Sequence, residues 1–319
     1  MDVQKNNEID QLSGAARRAT DPAHAQIFTH LESIAEQLGA LPAGDLAGIR
    51  RVMAGLAIDA RPVGGTTLVP VQSGTLRGTW IVPQNADTRR RVLFCHGGSF
   101  AFGDVGLYGG LLSRLALRAE ASVFFVDFRL APEHSYPAAH EDCIDALRYV
   151  AAEGPNGVKA ADKIATAGDS SGANLAIAAA LAGIQVGVEV WGTAVFSPFV
   201  DLSVRGESWT VNRGRDPLLS EAAARGCAAG YAPSLVATDP RLSALFADLA
   251  PLPRLHIQGS VADPLRDDAV RLAERAHASG VTTTLHLWAG LPHAWYLFAG
   301  ELPTAARGLA LAADFLNPG

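Results

Sequence analysis

KIATAGDSSGANLAIAAA, from Lys163 to Ala180, is the stretch whose reading decides the fold. Ile164 to Ala167 is a short strand-like run. Gly168, Asp169, Ser170, Ser171 and Gly172 then crowd into one tight turn, and an Ala-rich helix pattern follows at once. Strand, G-x-S-x-G, helix is the context in which the central serine sits in strained backbone geometry at the carboxyl end of a strand. A Cβ at Gly168 or Gly172 would clash with the neighbouring strand and helix. The helix start would direct backbone N–H groups and a positive dipole end at the Ser170 hydroxyl.

Working outward, apolar runs and helical patterns alternate. Arg91 to Cys95, Ala121 to Asp127, Val188 to Phe196, Arg254 to Gln258 and Thr282 to Trp288 read as strands. Leu107 to Arg118, Ala138 to Ala152, Leu265 to Ala278 and Thr304 to Leu316 read as helices between and after them. Thr67 to Val71 and Thr79 to Val82 add two strands joined by a Ser73-Gly74 turn. The alternation predicts an α/β protein with a mostly parallel central sheet. Two stretches stand outside it. Residues 1–58 combine a polar tail, read as weakly held up to about residue 21, with two amphipathic helices around Ile27 to Leu38 and Asp45 to Leu56. Residues 201–233 are polar and Gly-rich, with a short helix from Ser220 to Ala229. The N-terminal helices read equally well as an arm packed on the main body or as a lid over a site.

Ligands of open α/β sheets bind off the carboxyl ends of the strands, and four stretches converge there. Ser170 is the candidate nucleophile. His96-Gly97-Gly98 follows a buried strand, and its glycines let backbone N–H groups approach a substrate closely. Gly97, Gly98 and, through its own N–H, Ser171 are the candidate donors to an oxygen that becomes negative in a tetrahedral intermediate. Asp263 follows the strand at Arg254 and is biased to an extended conformation by Pro264; it is the candidate acid, with Asp267 as the fallback. Asp267 and Asp268 otherwise read as ordinary stabilisers of a helix N-terminus. His293, in the loop after the last strand, is the candidate base, because a serine hydroxyl needs an imidazole within reach at neutral pH. The chain order Ser170, Asp263, His293 is the one this architecture requires. His256 and His286 lie inside strands and read as structural, and His96 as a shaper of its own loop.

Composition excludes several classes. The 319 residues are 49% hydrophobic and 18% charged, enough for a large core, and the net charge of −6 comes with no Lys/Arg cluster, which argues against nucleic acid or an anionic membrane surface as partner. The three cysteines, Cys95, Cys143 and Cys227, are far apart and read as small buried residues of a reduced compartment. The nine histidines show no metal-ligand spacing, so no metal or other cofactor is implied. No signal-peptide core or run of about eighteen apolar residues is present, and the cytoplasm is the expected compartment.

At this point the residues resemble the hormone-sensitive-lipase-like family of α/β-hydrolases, over roughly residues 91–298. His96-Gly97-Gly98-Ser99-Phe100 looks like its H-G-G-G motif. Phe128-Arg129-Leu130-Ala131-Pro132-Glu133-His134, with Tyr136-Pro137-Ala138-Ala139, resembles its Y-R-L-A-P-E-H…P-A-A segment. Gly168 to Gly172 is similar to G-D-S-A-G, and Asp263-Pro264-Leu265 to its D-P-L acid motif. The resemblance implies an α/β-hydrolase fold on residues 59–319, with a helical cap from residues 1–58 and an insertion at about 201–233. It implies hydrolysis of short-acyl carboxylic esters through an acyl-enzyme on Ser170, without a cofactor. The segment EQLGALPAGDLAGIRR, from Glu36, is similar to a subgroup that includes monoterpene lactone hydrolases. Two departures stand out: Ser99 replaces the usual fourth glycine, and Ala294-Trp295 stands where Gly-Phe is common, so that Trp295 either walls the pocket or packs in the core.

The expected partner is a small-molecule ester or lactone, with a homodimer left open. A lactonase or amidase would use the same residues. A ligand-binding receptor on this fold would lose the base, which this chain keeps. Ser170→Ala is expected to abolish ester turnover, whereas Ser171→Ala keeps most of it; equal losses in steady-state assays would show that the nucleophile is misassigned.

Overall fold

The computed structural model describes residues 22–84 and 86–317; the polar tail up to residue 21 lies outside them. Eight strands form one sheet: β1 (Thr66–Ser73), β2 (Leu76–Pro83), β3 (Arg90–Cys95), β4 (Ser122–Val126), β5 (Lys163–Asp169), β6 (Val190–Phe196), β7 (Arg254–Ser260) and β8 (Thr282–Trp288). Their order is β1-β2-β4-β3-β5-β6-β7-β8. The β1/β2 hairpin is antiparallel and β2 runs antiparallel to β4, while every other pairing is parallel. The strands thus fall where the apolar runs predict, with ends that differ by no more than three residues: β1, β2, β3, β5 and β7 run longer, β4 and β6 shorter. A small antiparallel ribbon, Glu153–Gly154 with Gly157–Val158, was not legible because two-residue strands leave no period.

The helices are α1 (Pro22–Gly39), α2 (Leu46–Met53), α3 (Val105–Ala119), α4 (Ala138–Ala152), α5 (Ser171–Gln185), α6 (Glu221–Tyr231), α7 (Arg266–Ala278) and α8 (Pro303–Leu316). Several start on the side chain that the sequence offers as a cap. Asp45 accepts from the Gly48 N–H, Asp104 from Leu107 and Ser220 from Ala223. Because β-strand side chains alternate, β3 and β4 feed both faces of the sheet. Leu93, Cys95, Phe124 and Val126 enter one apolar core with residues of α4, α5 and α7. Val92, Phe94, Val123 and Phe125 enter the other, with α1, α2, α3 and α8.

β4 lies on one side of β3 and β5 on the other. The chain therefore leaves the sheet in opposite directions at the carboxyl ends of β3 and β5, which opens the crevice where ligands of such sheets bind. Two segments outside the alternation close over it. α2 is tied down by Arg50, whose guanidinium donates to both Glu133 carboxylate oxygens at 2.7 and 2.8 Å and to the carbonyls of Ala101 and Ala131. α6 is tied down by Tyr231, whose ring stacks on Phe100 at 3.8 Å and whose hydroxyl meets His140 Nδ1 at 2.6 Å.

Asp268 stands in the first turn of α7, as its spacing predicts, but it does more than stabilise the helix end: it is fully buried, and its Oδ2 accepts the N–H groups of Val200 and Asp201. Burial drives its carboxyl up to about 8. It anchors the chain where the 201–233 insertion begins. Asp267 likewise accepts the Ser208 N–H at 2.8 Å.

Arg50→Ala removes four hydrogen bonds from a half-exposed charge pair and two loop carbonyls. A loss of about 1–2 kcal/mol in unfolding free energy is expected; a denaturant midpoint identical to wild type would show that α2 is held by its apolar face alone.

Candidate active site

Ser170 occupies φ 49°, ψ −122° between β5 and α5. Such a backbone is unfavourable for a residue with a Cβ and persists only where the surroundings impose it. Here the surroundings are specific. Ser170 donates its N–H to the Phe196 carbonyl at 2.9 Å and accepts from the Phe199 N–H at 2.9 Å. A Cβ on Gly168 would lie 2.4 Å from the Gly172 carbonyl oxygen and 2.8 Å from that of Cys95. The glycines are thus required, for the reason the motif predicts.

The structure brings Ser170, Asp263 and His293 together. Ser170 Oγ lies 3.0 Å from His293 Nε2, and His293 Nδ1 lies 3.0 Å from Asp263 Oδ2. Asp263 is completely buried, and its second oxygen accepts the Leu265 N–H at 2.8 Å. Asp267 takes no part. His256 is buried in β7 and bonded to Thr284 and Gln258, and His286 lies in β8, both as structural residues. His96 donates from Nδ1 to the Gly97 carbonyl at 2.6 Å and stacks between Phe125 and Phe128; burial pushes it down to about 4, so it stays neutral.

The oxyanion donors differ from the expectation at one residue. The Gly97 N–H turns inward to Asp169 Oδ1 at 2.8 Å and the Tyr108 hydroxyl at 3.0 Å, so it is not available to a substrate. A Cβ on Gly97 would strike the Asp169 carboxylate, which explains this glycine. The N–H groups of Gly98 and Ser99 have no acceptor among the described residues, and both residues line the same cavity as Ser170. Ser171 opens α5, so its N–H has no partner in the helix ladder. Gly98, Ser99 and Ser171 are therefore the three residues whose N–H groups are left free to act as donors. Ser99 reaches this place only at φ 57°, where the usual glycine would be unstrained. The Ser171 hydroxyl also accepts the Phe100 N–H at 3.2 Å, a support for the loop that the sequence did not reveal.

Other contributors were also missed. Asp169 gathers the Tyr108 and Tyr296 hydroxyls at 2.9 and 2.8 Å on its Oδ2. Burial lifts its carboxyl to about 6 against those bonds. From the insertion, Asn212 donates to the carbonyls of Val261 and Asp263, and Asp216 accepts the His293 N–H at 2.5 Å. Trp295 is completely buried against Trp288, Phe196 and Tyr296, so it packs rather than walls the cavity. Ala294 sits at φ 62°, which is why glycine is common there.

The cavity over Ser170 holds about 190 Å³. Leu38, Met53 and Leu56 wall it on one side, and Leu218 and Leu219 of the insertion on another. Among the described residues, the acidic and basic side chains that line it are Asp169 and His293, both engaged as described. Among the described residues no group of histidine, cysteine and carboxylate side chains could hold a metal ion, and no helix is long and apolar enough to cross a membrane.

Comparison with known proteins points the same way. Residues 92–297 match the family described as alpha/beta hydrolase fold. An esterase from the bacterial hormone-sensitive lipase family superposes with a TM-score of 0.86 at 29% identity, over 93% of this chain and 98% of that one. The chain belongs to the hormone-sensitive-lipase-like α/β-hydrolases. Among curated relatives of this α/β-hydrolase, an acetyl-hydrolase of Streptomyces hygroscopicus is 36% identical over 77% of this chain and 81% of that protein. The esterase LipI of Mycobacterium tuberculosis is 32% identical over 90% and 88%. The carboxylesterase NlhH of the same species is 34% identical over 80% and 82%.

His293 must be neutral to accept a proton. Burial works against its charge, but the Asp263 carboxylate on Nδ1, with Asp216 and Asp169 behind it, outweighs burial and holds it above the ordinary histidine value of 6.5. A group with a raised pKa stays protonated to higher pH. The acid limb of kcat/KM is thus expected to have its midpoint above 6.5, and a limb centred below that value in a pH–rate profile would contradict this electrostatic reading.

Proposed function

We propose that the chain is a serine carboxylic ester hydrolase acting on small uncharged esters with short acyl groups, by way of an acyl-enzyme on Ser170. The observation that carries this is the continuous relay Ser170 Oγ, His293 Nε2, His293 Nδ1, Asp263 Oδ2, at 3.0 Å for each contact. His293 takes the Ser170 proton as Oγ attacks the ester carbonyl carbon. The carbonyl oxygen becomes an oxyanion and is met by the N–H groups of Gly98, Ser99 and Ser171. The intermediate collapses, the C–O bond to the alcohol breaks, and His293 returns the proton to the departing oxygen. Water, deprotonated by His293, then attacks the acyl carbon and frees the acid and Ser170. Asp263 stays ionised and steadies the imidazolium.

The substrate class follows from the cavity. A volume of about 190 Å³ favours a small acyl group, and walls of leucine and methionine with no unengaged charge favour a neutral ester over an anionic or cationic one. In this reading α1, α2 and the insertion act as the cap that gives the site its apolar roof.

The test is hydrolysis of p-nitrophenyl esters from acetyl to palmitoyl by wild type and Ser170→Ala. A short-chain optimum is expected, with a loss of roughly 10⁶-fold in kcat in the variant and stoichiometric labelling of wild-type Ser170 by a fluorophosphonate. Folded wild type that turns over no ester would sink the proposal, and turnover of lactones or amides in its place would name the acyl substrate.

A further inference from the structure

The insertion reaches the site through one carboxylate. Asp216 is buried, and three backbone N–H groups converge on it. Oδ2 accepts from His293 at 2.5 Å, and Oδ1 accepts from Leu218 and Leu219 at 2.9 and 2.7 Å. Burial raises the Asp216 carboxyl, while the His293 imidazole and the converging N–H groups favour its ionised form, and no acceptor among the described residues faces a proton on either oxygen. One residue thereby clamps the loop that carries the base to the two leucines that wall the cavity.

We propose that Asp216 is a positioning residue for the base, holding His293 in register with Ser170 and supplying a second carboxylate beside its imidazolium. This rests on His293 being the base of the proposed reaction. The groups around His293 are few. Asp263 meets Nδ1 and Ser170 meets Nε2. Asp169 lies behind the serine, with the Tyr108 and Tyr296 hydroxyls bonded to it. On the outer side of Asp216, Arg213, Glu221 and Arg225 line a surface cleft of about 600 Å³ that also reaches the carboxylate, and both arginines are paired with Glu221. Within the interior, among the described residues, Asp216 thus adds to a set of acids with no lysine or arginine set against His293. A negative charge there favours the imidazolium. It raises the pH at which the base becomes available and steadies the charge that forms during the reaction.

The two effects give a signature that loss of fold cannot imitate. Asp216→Asn is expected to move the acid limb of kcat/KM to lower pH, and to lower plateau kcat about tenfold with KM within about twofold. Asp216→Glu, which keeps the charge, is expected to leave the limb at its wild-type place. An Asn variant with wild-type limb and kcat, reduced only in melting temperature, would overturn the proposal. Should neither variant fold, the wild type still decides. The His293 amide is expected to be strongly protected from hydrogen exchange, and an amide that exchanges freely would refute the clamp. Retained activity in Ser170→Ala would overturn the reaction scheme while leaving that amide result intact, so the two failures are distinct.

Discussion

A Cβ on Gly172 would sit 2.1 Å from the carbonyl oxygen of Cys95 and 2.3 Å from that of His96. That backbone-to-backbone approach is the constraint on which the rest depends. It presses the first turn of α5 against the end of β3, and so sets the Ser171 N–H beside those of Gly98 and Ser99. The strain at Ser170 follows from it, since the chain must turn sharply to enter a helix already wedged against the neighbouring strand. No side chain could replace this contact, because the gap between the two backbones is narrower than a methyl group.

Asp169 converts the close approach into a rigid site. It is the last residue of β5, yet its carboxylate is filled by Gly97 from the β3 loop, Tyr108 from α3 and Tyr296 from the turn after His293. Three segments from distant parts of the sequence are held at one point in the interior, where hydrogen bonds are strong because water does not compete. The insertion repeats the device on the opposite side: Asn212 fixes the acid loop and Asp216 the base loop. Chemistry and roof are therefore joined by bonds rather than merely adjacent.

What could be read in the sequence was whatever rests on local periodicity or fixed order. The runs at Arg91 and Ala121 marked strands because burial on both faces demands continuous apolar residues. Ser170, Asp263 and His293 followed from their order and from their places just past strands. The oxyanion donors were only partly legible. Two successive glycines announce a close approach, but which N–H turns outward depends on Asp169, more than seventy residues away. Asp216 and Asn212 were hidden in a polar, Gly-rich stretch with no period to betray burial. The burial of Asp268 was hidden for the same reason, since its place in the first turn of α7 says nothing of the chain after β6 that covers it.

The ring of acids around His293 has a further consequence for the end of the catalytic cycle. Ester cleavage turns a neutral molecule into a carboxylic acid that ionises at neutral pH. Of the acids that act on His293, Asp169 lines the cavity where that anion forms while Asp216 and Asp263 stand behind the imidazole, and among the described residues no lysine or arginine lines it. Like charges at such short range in a poorly screened interior repel strongly. For the small neutral ester proposed as substrate, the acid formed would face the Asp169 carboxylate with no basic side chain of the described lining to hold it, a charge balance expected to favour its release.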